Sequence, residues 1–222
     1  MLEWESCWGD LANNMDTAEQ CIKYCASQLV TKCKQELEIL NKVSINHNSK
    51  LSKIINQPFI RITHHDAITL LFTAHKVTPF IIEPSYTDDL SGEHEKHLVK
   101  HYDHPVFVMY YPKSVKAFYM PIHHQIEQDN NIIEYVDCFD LLMDIGEVVG
   151  GSQRIWSESE LVQRMADCNI SGLDWYIDLR RFGSVPHGGA GLGVERLVAT
   201  LSGTTNVKDC ISFPITVNHC AF

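Results

Sequence analysis

The first eight residues alternate, Leu2 and Trp4 against Glu3 and Glu5, the period of a strand with two distinct faces. The period then changes. Ile22, Cys25, Leu29, Cys33 and Leu37 recur at threes and fours, which predicts a long amphipathic helix reaching about Leu40. Asp16-Thr17-Ala18-Glu19 has the spacing of a capping box and marks its expected start. The polar, Asn- and Ser-rich stretch 41–57 reads as a loop or ragged helix. PFIRITHHDAITLLF reads as a short strand and then a helix with Thr63 or Asp66 near its start. TDDLSGEHEKHLVKHYD is dense in charge and predicts a loop entering an exposed helix.

Four β-rich runs follow, at 104–112, 116–122, 134–143 and 146–155. Successive runs of this kind favour an antiparallel sheet. Ser157-Glu158-Ser159-Glu160 is a second capping box, opening a helix to about Cys168, and LDWYIDLRRF predicts another. Glu195 to Leu201 reads as a last helix, stopped by Gly203. No repeat, linker or low-complexity segment interrupts this order. The prediction is an α+β fold, an antiparallel β-sheet flanked by helices, in one domain over 1–222.

Composition changes this picture little. With 45% hydrophobic and 21% charged residues, the chain can bury an ordinary globular core. Charge matters more: a net −10 sets the surface as a whole against a nucleic-acid backbone, so any RNA contact has to be local. The eight cysteines form no C-x-x-C pair, which removes zinc spacing and favours free thiols in a reducing compartment. No apolar run is long enough to span a bilayer. The acidic, aromatic start does not resemble a transit peptide.

Two constellations carry chemistry. The first is HGGAGLGVERL, residues 187 to 197. No G-K-[ST] follows its glycines, so it is not a Walker loop, and G-G-x-G-x-G is not the dinucleotide fingerprint. Glycines before a helix read as a bend for tight strand-to-helix packing. Arg196, in the first turn behind them, adds a planar fork placed to grip phosphate. The second constellation is FDLLMDIGEVVGGSQRI. A hairpin turning near Asp144 to Gly146 brings Asp140 and Glu147 near each other across the strand pair, where two carboxylates suit Mg²⁺. Gly150-Gly151 clears side chains beside them, and Arg154 further along is placed to pair with a carboxylate or an amide. The plainer alternative leaves Asp140 and Glu147 as solvated strand acids and Arg154 as an edge residue.

The histidines add less. His64-His65 and His123-His124 are adjacent pairs whose side chains diverge. His94, His97 and His101 have helical spacing, but Glu93, Glu95, Lys96 and Lys100 around them suggest a solvated face. No G-x-S-x-G occurs, so nucleophilic catalysis is unsupported.

IGEVVGGSQRI followed by WYIDLRRFGSVPHGGAGLGVERLVATLSGTTNVKDCISFP resembles the C-terminal catalytic core of class II asparaginyl-tRNA synthetases. The glycine stretch with Glu195-Arg196 matches their motif 3. DDLSGEHEKHLVKHYDHPVFVMYYPKSVKAFYM and RITHHDAITLL are similar to the same family, so the resemblance covers nearly the whole chain. It implies ATP-dependent adenylation of asparagine and transfer to tRNA(Asn). It places Mg²⁺ on Asp140 and Glu147, and the asparagine side-chain carbonyl on Arg154, in a pocket lined by Gly151 and Ser152. It lays ATP over Gly191 and Gly193, with Arg196 stacked on adenine and meeting the γ-phosphate. Arg196 and Glu147 would then act by positioning and charge neutralisation.

The resemblance further implies asparagine, the tRNA(Asn) acceptor end and a second copy of the chain as partners, no membrane, and the mitochondrial matrix or cytoplasm as location. MLEWES resembles the second strand of motif 2. The arginine of that motif's first strand, motif 1 and the anticodon-binding β-barrel are therefore expected outside this sequence, and little adenylation is expected from the 222 residues alone. Ala190 stands where the family usually has Phe, and Ile215 where an F-P-R arginine is expected. These departures keep two alternatives open: an inactive paralogue retaining the nucleotide and amino-acid pocket, and a tRNA-independent relative adenylating aspartate or asparagine.

Overall fold

The computed structural model describes residues 1–41, 47–128, 131–217 and 220. Six strands form the main sheet, in the order β1 (Leu2–Cys7), β8 (His187–Leu192), β7 (Gly146–Gln153), β6 (Cys138–Met143), β3 (Val106–Met109) and β2 (Ile60–Thr63). Neighbours pair antiparallel except β2 and β3, which run parallel. The exception has a covalent cause: α4 (His64–Val77) and α5 (Gly92–Tyr102) lie between these two strands, a crossover long enough to return the chain to the same end of the sheet. The predicted α+β class holds, with a mixed rather than wholly antiparallel sheet.

Strand alternation decides what each face meets. On one face the cross-strand row Phe139, Gly151, Ala190 and Trp4 joins the core under α1 (Leu11–Lys32), α2 (Lys34–Asn41) and α3 (His47–Asn56). On the other face α4 and α5 pack Ile68, Leu71 and Leu98 against Val106 and Val108. Beside that layer a cleft opens over β7, β8 and β1. β4 (Ile122–Gln128) and β5 (Asn131–Val136) make a separate hairpin. α6 (Glu158–Asp167) and α7 (Asp174–Arg181) enclose a small third cluster around Ile155. α8 (Val194–Ser202) ends, as predicted, on Gly203 with φ 74°.

Several local expectations are corrected by packing. α1 begins at Leu11, capped by Asp10 and Asn13, because Leu11, Met15 and Ala18 extend its apolar stripe upstream. Asp16 and Glu19 lie inside the helix and pair with Arg61 instead of capping it. The stretch 41–57 contains α3, while residues 42–46 lie outside the described residues. α5 is exposed on one side only, since His94, Leu98 and Val99 are buried. Residues 116–121 turn rather than extend, with Met120 N–H donating to the Ala117 carbonyl. The run 134–143 divides between two sheets at Asp137. The glycine bend predicted at 187–192 is strand β8 itself, paired on both sides.

His64 opens α4 and is 0% exposed. Its Nε2–H donates to the Asp88 carbonyl at 3.0 Å, and Nδ1 is buried without a partner. Burial, the largest influence, pushes its pKa down from 6.5 to about 4. Between those values the unfolded chain binds a proton that the folded chain excludes. This contribution to stability is therefore whole above the unfolded value and is lost as pH falls toward the folded one. The expected loss is about 3 kcal/mol by the acid end of that window. Urea midpoints measured against pH should flatten across it in His64→Gln, and an unchanged slope would assign the acid sensitivity to other groups.

Candidate active site

The cleft encloses about 440 Å³, within the usual range for a small-ligand site. Two cross-strand rows floor it: Asp140, Gly150, Gly191, Glu3, and then Cys138, Ser152, Gly189, Glu5. Glycine fills three of the four middle positions of these rows, and acids fill three of the four flanking ones. Gly188, Gly189 and Gly191 are not among the glycines with positive φ, so conformation does not require them. Space does. A Cβ on Gly189 would overlap the Glu5 carboxylate and the Trp4 carbonyl oxygen, and one on Gly191 would stand 2.8 Å from Met1 Sδ.

Glu147 reaches the cleft through a β-bulge. Leu141 pairs with Val149 and Leu142 with Glu147, leaving Val148 extra. Val148 and Val149 both enter the core, and Glu147 is turned to the opposite face. The bare floor at Gly150 receives both predicted acids: a Cβ there would lie 2.6 Å from Glu147 Oε1 and 3.4 Å from Asp140 Oδ1. Gly151 behaves differently. Its backbone lines the cleft, but a Cβ would point into the core, 2.6 Å from Phe139 Cζ and 2.7 Å from Ala190 Cβ. Only Gly150 of the pair clears the cleft side. Ala190 pairs with Trp4 and turns its side chain to the core face, while its backbone lines the cleft.

Three further groups, invisible to the sequence pattern, complete the site. Lys116 Nζ lies 2.8 Å from Asp140 Oδ2, with both side chains 14% exposed, and 3.9 Å from the Tyr111 ring centroid. Burial works against the Lys116 ammonium, but the charge and hydrogen bond of Asp140 outweigh it and hold its pKa above the ordinary value. Burial pulls Asp140 upward. The direct contact decides for an ammonium–carboxylate pair. Glu95, on the first turn of α5, is pushed up to about 7 by burial and then by Glu147 and Asp140. Burial and then Asp140 raise Glu147 as well. Carboxylates crowded in this way gain from an added cation. Lys116 and Glu95 come from separate elements, so no spacing links them to Asp140.

Glu5 is the third. Arg154 donates from Nε to Glu5 Oε1 at 3.0 Å and from Nη2 to Oε2 at 3.1 Å, and from Nη1 to Ser152 Oγ. The alternation in MLEWES sets Glu5 on the polar face of β1 but cannot show this partner. Arg196, exposed on the first turn of α8, donates to the Glu147 carbonyl. Gly193 caps α8, its N–H donating to the Val148 carbonyl at 2.9 Å. A Cβ there would meet the Arg196 stem no closer than 3.6 Å. Gly191 lines the cleft, whereas Gly193 stands beside Arg196 at its margin. The structure thus brings Asp140, Glu147, Gly151, Ser152, Arg154 and Gly191 into one cleft. Among the described residues no group of three or more His, Cys, Asp or Glu is arranged to hold a metal ion. Two hard carboxylates, with water or phosphate completing the sphere, suit Mg²⁺.

Residues 1–217 match the family described as tRNA synthetases class II (D, K and N). The chain is 39% identical over 230 residues to a probable mitochondrial asparagine–tRNA ligase of Dictyostelium discoideum, covering 100% of the chain and 48% of the relative. It is 40% identical over 227 residues to the asparagine–tRNA ligase of Lawsonia intracellularis, with coverages of 100% and 48%. The asparaginyl-tRNA synthetase of Pyrococcus horikoshii, solved with asparaginyl-adenylate, superposes with a TM-score of 0.79 at 32% identity, over 96% of this chain and 46% of that one. The chain spans about half the length of the curated relatives it matches. No helix among the described residues is long and apolar enough to cross a membrane.

Proposed function

The chain belongs to the class II tRNA synthetases of the D, K and N type, and on that premise we propose that its cleft activates asparagine with ATP and passes it to tRNA(Asn). The observation that carries this reading is the Glu5–Arg154–Ser152 clamp beside the glycine floor, opposite the Asp140–Glu147 pair. Glu5 offsets the charge of Arg154 and occupies two of its donors. What remains suits a neutral amide oxygen better than a second carboxylate, which favours asparagine over aspartate. Gly151 and Ser152 form the adjoining wall.

Asp140 and Glu147 would hold Mg²⁺, which when bound supplies positive charge for the ATP phosphates. Lys116 keeps Asp140 ionised and fixes one of its oxygens. The bare backbone at Gly191 admits adenine, with Gly193 behind it. Arg196 spends its hydrogen bond on a carbonyl, so its charge is left for a phosphate and its plane for the adenine. In the first step an asparagine carboxylate oxygen forms a bond to the α-phosphorus as the bond to the departing pyrophosphate breaks. In the second, a terminal ribose hydroxyl of tRNA attacks the carbonyl, the bond between the acyl carbon and the phosphate oxygen breaks, and AMP departs with its phosphate taking up the hydroxyl proton. Both steps need alignment and charge neutralisation, not a side-chain nucleophile.

Residues 1–222 are read as a catalytic core that works as a homodimer in the full-length enzyme, in the mitochondrial matrix or cytoplasm; the mitochondrial relative supports the former. Because Ala190 lies on the core face, it gives little ground for an inactive paralogue. Asparaginyl sulfamoyl-adenosine, a stable adenylate mimic, should bind the protein in calorimetry at least ~10-fold more tightly than the aspartyl form. Glu5→Gln should narrow that ratio. Arg154→Met should cost about 1.5–3 kcal/mol of the asparaginyl affinity. Binding of neither mimic would sink the reading.

A further inference from the structure

The side of α5 away from the cleft carries two side chains that the proposed chemistry does not use. At about 100° per residue, His97 and His101 lie roughly 160° and 120° around the helix from Glu95. Their ring centroids are 6.4 Å apart and their planes differ by 21°. The Phe80 ring packs edge-on to His97 at 5.3 Å, and the Tyr102 ring edge-on to His101 at 4.9 Å. His94, one turn earlier, is already engaged: Nε2 meets the Ile82 carbonyl at 2.9 Å, and Nδ1 accepts from Ser91 N–H at 3.3 Å.

We propose that His97 and His101 form a bidentate site for a divalent transition-metal ion of the imidazole-seeking class, such as Ni²⁺, Cu²⁺ or Zn²⁺, with water filling the other positions. Two histidines four apart on one helical face have the spacing used by helical metal pairs. With each nitrogen about 2.0–2.1 Å from a shared ion, the ring centroids would approach to roughly 4.5–5.2 Å. A rotamer change of exposed His101 closes that difference.

The local charges also suit it. Burial, then the neighbours His101, Lys100 and His94, lower the His97 pKa, so its imidazole is neutral near pH 7 and ready to ligate. Lys100 opposes the ion electrostatically. No third His, Cys, Asp or Glu joins the pair among the described residues, so the bound ion exchanges freely. The site differs in kind from the Asp140–Glu147 pair, because imidazoles select transition metals and carboxylates select Mg²⁺. It is independent of the synthetase reading.

Calorimetric titration of the chain with NiCl₂ at pH 7.5, in excess Mg²⁺, tests the proposal. His101→Ala is expected to weaken the tightest Ni²⁺ site at least ~10-fold and to abolish the Ni²⁺-dependent rise in Tm. His97→Gln, checked for folding by circular dichroism, should do the same. The remaining histidines and the eight cysteines are common to wild type and both variants, so the differences isolate the pair. Unchanged isotherms and Tm shifts in His101→Ala would overturn the proposal. So would displacement of Ni²⁺ by Mg²⁺, which would place the ion on the carboxylates.

Discussion

Gly189→Ala is expected to destabilise the fold severely, since its added methyl would make the closest contact of any glycine described. The new Cβ would overlap the Trp4 carbonyl oxygen and the Glu5 carboxylate. Glu5 can swing aside, but only by releasing Arg154. The Trp4 carbonyl belongs to β1, whose register against β8 runs from Leu2–Leu192 to Cys7–His187. Relieving that overlap means separating the two strands. Core overpacking usually costs about 1–3 kcal/mol, and a clash with backbone should exceed it, at about 4 kcal/mol or more. That approaches the lower end of the ~5–15 kcal/mol available to a domain. Gly193→Ala is the matched control, since its Cβ would meet nothing closer than 3.6 Å, and it should change stability by less than ~1 kcal/mol. Urea denaturation of both variants decides the matter. A folded Gly189→Ala protein with a wild-type midpoint would refute the steric account of the glycine floor.

Asp140→Ala should damage stability and chemistry together, and the two losses can be separated. Removing the carboxylate leaves the Lys116 ammonium with its main partner gone, at 14% side-chain exposure. Breaking one side of such a buried pair costs about 3–5 kcal/mol. The substitution also removes one of the two oxygen ligands proposed for Mg²⁺, for which we expect a ~10²- to 10³-fold fall in the asparagine-dependent ATP–pyrophosphate exchange of the full-length enzyme. The double variant Lys116→Met/Asp140→Leu replaces both charges by apolar groups of similar size. It should recover most of the denaturation midpoint while its exchange and Mg²⁺-dependent ATP affinity stay low. Exchange that returns together with stability would make Asp140 a structural residue and nothing more.

Much of the fold is legible along the chain. The alternation in MLEWES places β1, and the apolar period places α1, though Asp10 rather than Asp16 caps it. Runs 104–112 and 146–155 contain β3 and β7, and α8 stops at the predicted glycine. Less is legible where an element depends on a distant partner. The run 116–122 has strand composition, yet Lys116 is drawn to Asp140 and the segment turns. The glycines at 187–193 have loop composition, yet strands on both sides make 187–192 an interior strand.

The same division runs through the site. Asp140, Glu147, Gly191 and Arg154 are visible as residue types at suggestive spacings, and the family resemblance gives each an expected role. The periods, most turn positions and this inventory can be read along the chain, because side-chain alternation and capping depend only on near neighbours. Only the folded chain shows that Val148 bulges and turns Glu147 toward Asp140, that Lys116, Glu95 and Glu5 join them, and that Gly150 faces the cleft while Gly151 faces Phe139. Strand register, a bulge and the close approach of two backbones are properties of pairing. They are set by packing between segments far apart in the chain, and no local pattern carries them.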